Sequence, residues 1–297
     1  MTVFMESLDP AIVARIDRLD IAAQQVVNGL FRGMHRGLTK GTSTEFAEHR
    51  PYSSGDDIRH LDWRAFARTD RFQLKEYQDE RSLRAHLVLD CSNSMGFGTP
   101  VSKLRYSAVL AACVAHLLRR QRDSIGLTSF GEDIRESLGA RSGVEHFARV
   151  VTALGGLRAK GPTSVAQCLS QLSTRVEPHS LIFVFSDLLE EPRELARAFA
   201  RFRERNCELA VFHMVDTSEN EFPFDSWTVF RDCEGSGESF RADARLVKPL
   251  YLEALAEHFR SLRSLCLSTE AAYVRTLTNE AFETVLRRFV QSRARRR

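Results

Sequence analysis

Apolar residues recur along the chain with two different periods, and the alternation between them predicts the architecture. Between residues 85 and 215, short unbroken apolar runs are separated by longer stretches whose apolar positions repeat every three or four residues. The runs are AHLVLD (85–90), SIGLTSF (124–130), SLIFVFSD (180–187) and CELAVFHMV (207–215). Runs with no polar alternation predict strands covered on both faces, hence a mainly parallel sheet. The intervening stretches, 102–120, 143–154, 164–175 and 191–205, predict helices. In the first of them Leu104, Ala108, Ala111, Ala112, Ala115 and Leu118 share one face, and the small alanines permit close docking on a sheet. The expected fold class is α/β: a Rossmann-like, mainly parallel sheet with helices on both faces and right-handed crossovers.

The flanks carry weaker patterns. Residues 9–30 predict a helix with Asp9 as N-cap, Pro10 at its first position, and Ile12, Ile16, Leu19 and Ala23 on one face. EDIRESLG, after the second strand, predicts a short edge strand. Between 217 and 243 two alternating runs flank Gly235-Ser236-Gly237 and predict a β-hairpin insertion. A long helix follows, with Leu252, Leu255, Phe259, Leu262 and Cys266 stepping along one face, then a last strand (AAYVRTL) and a last helix (279–291). Residues 37–81 mix charges, aromatics and turn signals, and FQLKEY (72–77) alternates as a half-buried strand expected to pair with the edge of the sheet. The expected organisation is an N-terminal helix and irregular segment, 1–81, packed on a core domain, 82–297, that carries the hairpin.

Composition narrows the function. Of 297 residues, 43% are hydrophobic and 27% charged, and the net charge of +3 excludes a whole-surface electrostatic nucleic-acid binder. The basic excess is local, at Arg287, Arg288, Arg293, Arg295, Arg296 and Arg297, and reads as a solvated tail. None of the six cysteines forms a C-x-x-C pair, which excludes a disulfide framework and a zinc spacing and points to a reducing compartment. The longest uncharged apolar-biased stretch, Tyr106–Leu118, is 13 residues, against the ~20 a membrane span requires. With no apolar leader at the N-terminus, the expectation is a cytoplasmic chain with no membrane span.

The chemistry lies where strands end. Asp90 closes the first core strand, and Ser92 and Ser94 follow at alternate positions. Thr163 sits in a Gly-Pro loop just before a helix, and Asp187 follows the most apolar strand. Ligands of open parallel sheets collect outside the carboxyl ends of the strands. If the first and third strands are neighbours, the two carboxylates lie close together and raise each other's pKa unless a cation compensates them. Two carboxylates and three hydroxyls form a hard-oxygen set, suited to Mg²⁺ or Mn²⁺ rather than zinc or copper. Cys91 should face away from such a set, because successive residues of an extended loop point apart. His86, His116 and His213 lie in apolar patterns and read as core histidines. Arg59, Arg64 and Arg68 can pair with Asp56, Asp57 and Asp62 in the turn-rich segment.

Asp90-x-Ser92-x-Ser94, Thr163 and Asp187 resemble the metal-ion-dependent adhesion site of von Willebrand factor type A domains, in order and in strand context. Ser186-Asp187 is similar to that family's hydroxyl-Asp pair, with Leu188 where a glycine often follows. The segment EFAEHRPYSSGDDIRHLDWRAFART adds a longer match. Its Arg50, Tyr52, Asp56, Asp57, Arg59, Asp62, Trp63 and Arg68 resemble the signature of domain-of-unknown-function family 58, a von Willebrand A-like group of bacterial proteins. The resemblance implies a non-enzymatic binding module, with Mg²⁺ or Mn²⁺ on the five oxygen-bearing residues, that accepts an acidic residue from a partner, a MoxR-type AAA+ ATPase. The eight signature residues would serve packing or partner contact. The competing reading is a metal-dependent phosphotransferase or hydrolase on the same sheet. Against it, Ser92 stands where such enzymes place a second Asp, and neither a P-loop nor a Ser-His-Asp set is visible.

Overall fold

The computed structural model describes residues 9–10, 18–34, 49–51, 73–75, 83–233 and 239–294. The chain divides into two compact units, Met1–Gly33 with Leu83–Arg297, and Met34–Ser82. In the smaller unit, β1 (His49–Pro51) pairs antiparallel with β2 (Gln73–Lys75). Of the FQLKEY stretch expected at the edge of the main sheet, only Gln73–Lys75 is described, and it pairs within its own unit. A partner some twenty residues away satisfies its backbone groups at a small loop-closure cost. Arg50 lies in β1. Tyr52, Asp56, Asp57, Arg59, Asp62, Trp63 and Arg68 lie outside the described residues.

The larger unit is built on a six-stranded sheet. Its strands are β3 (Arg84–Asp90), β4 (Ser124–Phe130), β5 (Ile134–Arg141), β6 (Leu181–Ser186), β7 (Glu208–Val215) and β10 (Ala272–Leu277), in the order β10-β7-β6-β3-β4-β5. All pairs are parallel except β4–β5, which makes the EDIRESLG segment an antiparallel edge.

Side-chain alternation splits the core into two layers. Leu87, Leu89, Phe183, Phe185 and Phe212 point to one face, where α1 (Leu19–Met34), α2 (Lys103–Arg120), α3 (Val144–Gly156) and α8 (Phe282–Ala294) cover them. Val88, Ile182, Val184, Leu209 and Val211 point to the other, under α4 (Val165–Arg175), α5 (Pro192–Glu204) and the C-terminal part of α7 (Ala244–Ser268). The alanine face of α2 is buried as expected. So is almost all of the helix from Lys103 to Ala115, and Lys103 itself is fully covered.

Three local departures bear on function. Asp9 is non-helical and Pro10 helical, as expected, but Arg18 interrupts the helix, and the stretch from Leu19 buries Leu19, Ala22, Ala23, Val26, Val27 and Leu30; Ile12 and Ile16 lie outside the described residues. The apolar face expected along α7 is fully buried only at Leu262, Leu265 and Cys266, while Leu252, Leu255 and Phe259 remain half-exposed. Ahead of α7 come the one-turn α6 (Thr217–Glu221) and the expected hairpin, β8 (Trp227–Arg231) with β9 (Ser239–Asp243). Of the basic cluster read as a free tail, Arg288 bonds the Arg275 carbonyl at 2.8 Å and pairs with Glu280, and Arg293 pairs with Glu208 at 2.6 Å. Helix α8 thus ties part of it to the core. Among the described residues no helix is long and apolar enough to cross a membrane.

Candidate functional site

Register brings the oxygen-bearing residues together. β3 lies beside β6 with Leu89 opposite Phe185, so Asp90 emerges next to Ser186 and Asp187. The Ser186 hydroxyl donates to Asp90 Oδ2 at 2.7 Å and accepts from the Leu188 amide at 3.0 Å. Leu188 holds this turn in the left-handed region, at φ 52°, and is fully buried. The chain keeps a turn that glycine would take freely, at a cost of roughly 1–2 kcal/mol.

The Asp90 loop is held from both sides. Cys91 N–H donates to the Phe130 carbonyl at 2.7 Å, and Asn93 N–H to the Gly161 carbonyl at 2.8 Å. The Cys91 carbonyl accepts from Lys160 N–H and from Arg135 Nη1, both at 2.9 Å. Gly161, at φ 68°, allows the return loop to pass this closely and carry Thr163 to the site. Thr163 Oγ1 lies 3.4 Å from both Asp90 oxygens, and Ser92 N–H caps Asp90 Oδ1 at 2.9 Å. The Ser92 and Ser94 hydroxyls meet at 3.0 Å, as their alternate spacing predicted. Asp90, Ser92, Ser94 and Asp187 are all buried.

Electrostatics separates the two carboxylates. Burial, with the Asp187 carboxylate nearby, pushes the Asp90 pKa up to about 6. Asp187 is compensated by a residue that sequence reasoning missed. Lys103 Nζ donates to Asp187 Oδ2 at 2.8 Å and to Glu219 Oε1 at 2.7 Å, from a side chain only 1% exposed. Burial works against the ammonium, but the two carboxylates outweigh it and hold the Lys103 pKa above its ordinary value. Burial raises the Glu219 pKa, with Lys103 opposing. Glu219 is fixed in turn by a reciprocal cap, accepting from the Asp216 amide at 2.7 Å. A signal for Lys103 was present: it occupies the first position of a helix apolar on nearly every side, at the positive end of the helix dipole. A cation there calls for anionic partners.

The other Asp187 oxygen, Oδ1, is buried with no hydrogen-bond partner. Nearby, His213 shares a hydrogen bond at Nδ1 with the Tyr273 hydroxyl at 2.7 Å. Burial holds its pKa down to about 3, so it is a neutral core histidine, as its apolar context suggested. His86 is likewise buried with a lowered pKa, and His116 packs edge-on against Phe147. Cys91 turns its thiol to the Leu89 carbonyl, and burial pushes its pKa up to about 12, which removes it as a nucleophile. Beside Asp187 and Lys103 opens a cavity of about 390 Å³, walled by His213, Tyr251, Leu255 and Phe259. This explains why that stretch of α7 is only half-covered.

Among the described residues no group of three or more His, Cys, Asp or Glu side chains is arranged as a metal cluster. The set here is different in kind: two carboxylates and three hydroxyls, with one carboxylate oxygen unsatisfied. Such donors fit a hard divalent cation, Mg²⁺ or Mn²⁺. Asp90, Ser92, Ser94, Thr163 and Asp187 could hold it.

The mainly parallel sheet, with the Asp-x-Ser-x-Ser loop at the end of its first strand and the Thr and Asp on the following loops, makes the larger unit an α/β fold with an oxygen-lined site at its strand ends. The chain belongs to the DUF58 family of proteins of unknown function, whose profile matches residues 48–260. The uncharacterized protein Rv1480 of Mycobacterium tuberculosis is 27% identical over 292 residues, 97% of this chain and 91% of its own length. Similar solved structures include BatB from Bacteroides thetaiotaomicron, with 13% identity, a TM-score of 0.47 and coverage of 72% of this chain and 99% of that one. The VWA domain of SpRpn10 has 16% identity and a TM-score of 0.38, over 69% and 94%.

Proposed function

We propose that this protein is a non-enzymatic binding module that engages a partner protein through a divalent cation, Mg²⁺ or Mn²⁺, held by Asp90, Ser92, Ser94, Thr163 and Asp187. One observation carries the reading. A buried, hydroxyl-lined carboxylate and a second carboxylate with an unsatisfied oxygen share the C-terminal edge of the sheet. Unpaired buried carboxylate oxygens are costly, and a cation offsets that cost. The cation would supply a Lewis-acidic point at which a partner's carboxylate can bind. The protein's own residues do the rest: Ser186 and the Ser92 amide orient Asp90, and the stitched 159–163 loop brings Thr163 alongside. A MoxR-type AAA+ ATPase is the proposed partner, on the strength of the sequence resemblance, with the chain acting as its adaptor.

The phosphotransferase reading is less well supported. Ser92 occupies the position of a second catalytic Asp, and the thiol beside it is inert. Thermal unfolding tests the proposal. Mg²⁺ or Mn²⁺ should raise the melting temperature by linkage, and Asp90→Ala or Asp187→Ala should abolish the rise. Co-purification with a MoxR-type ATPase should require the same ion. A wild-type protein indifferent to both ions would overturn the metal reading, and Asp90-dependent turnover of phosphoesters would replace it with the enzymatic one.

A further inference from the structure

The buried ammonium of Lys103 sits on one oxygen of a carboxylate whose other oxygen lacks a partner. We infer that Lys103 is an internal cation that competes with the divalent ion for Asp187, that it sets the threshold at which the ion binds, and that Glu219 is the second anchor onto which its ammonium falls back. This inference rests on the metal reading of the Asp90–Asp187 site.

The charges support it. Asp187 and Glu219 share a single ammonium, and Asp90 lies close enough to Asp187 to feel its charge, so with all four ionised the cluster carries two negative charges in excess. A divalent ion balances that excess, whereas a monovalent ion leaves it half-compensated. The lysine is already spent at the positive end of α2, where the helix dipole adds to the repulsion any arriving cation meets. Two like charges a few ångströms apart repel strongly in a buried setting. The ion must therefore outweigh the Lys103–Asp187 contact. The 2.7 Å bond to Glu219, an acid independently fixed by the Asp216 amide, gives the ammonium a place to remain paired. Lys103 thereby acts as a specificity-determining residue that filters weak cations from the site.

Calorimetric titration of the full chain with MnCl₂ at neutral pH tests this, using wild type, Lys103→Met and Glu219→Gln. Lys103→Met removes the competing charge and should bind Mn²⁺ about tenfold more tightly or better, with a larger ion-induced rise in melting temperature than wild type. Glu219→Gln keeps a cap acceptor but leaves the ammonium only Asp187, and should bind several-fold more weakly. The opposite signs separate competition from general destabilisation, and Glu219→Gln decides if Lys103→Met fails to fold. Equal affinity in all three proteins overturns the role of Lys103 and leaves the metal site standing. A folded Lys103→Met that loses binding also overturns it, since Lys103 would then be organising the ligands. Binding by Lys103→Met alone supports competition and shows the wild-type site held shut by its own lysine. No binding by any of the three overturns both readings.

Discussion

Asp90 and Asp187 end neighbouring strands of one sheet, yet the protein compensates them in opposite ways. Asp90 is surrounded by neutral donors: the Ser92 amide and the hydroxyls of Ser186 and Thr163. These satisfy its hydrogen-bonding capacity without cancelling its charge, and its pKa rises to about 6. Asp187 meets a full positive charge, buried with it. Hydrogen bonds orient a carboxylate; only a counter-charge neutralises it. The Asp90 corner is therefore a rigid anionic cradle, and the Asp187 corner is an ion pair that has to open if another cation is to enter.

The comparison can be broken by mutation. In metal-free protein Asp187→Asn disrupts a buried pair and should cost about 3–5 kcal/mol in urea unfolding. Asp90→Asn removes a charge that the fold tolerates poorly, and should change stability by no more than about 1 kcal/mol. Equal losses would show that the two corners are compensated alike.

Acid should sharpen the contrast. His213 lines the same cavity as Asp187, and burial depresses its pKa from an unfolded value near 6.5 to about 3. The folded state binds fewer protons through that window, so stability contributed by the neutral ring is lost as pH falls below the unfolded value. Asp90, raised to about 6, slopes the other way: its protonation favours the fold as pH falls through its folded pKa. His213→Phe should thus flatten the acid-side loss of stability seen by circular dichroism, and an unchanged profile would remove His213 from the account. Ser186→Ala should fall between the two carboxylate variants. It strips one bond from Asp90 and one from the Leu188 amide, and should cost roughly 1–2 kcal/mol in the same unfolding assay.

Much of this was legible in the chain. Unbroken apolar runs gave the parallel strands, because a strand buried on both faces has no polar face to show. The alternate serines flagged the hydroxyl pair, although the structure brings them together through a helical Asn93 and the one-turn 3-10 helix that Ser94 opens rather than through an extended loop. What failed had physical reasons. Gln73–Lys75 alternates like an edge strand, but periodicity carries no information about which strand it joins. The apolar face of α7 reads as continuous, yet a cavity interrupts its burial at Leu255 and Phe259. Lys103 escaped notice because a lone lysine at a helix start reads as solvated, and its partners lie 84 and 116 residues away.

The sequence by itself determined the layering of the sheet and helices, the oxygen chemistry at the strand ends and the family signature. These are local properties, written in period, spacing and residue type. Tertiary structure alone decided which charges meet. The register of β3 against β6 sets Ser186 on Asp90, and the return of α6 over the sheet edge sets Glu219 on Lys103. Pairings between distant segments depend on how the strands are ordered, and no local pattern encodes that order.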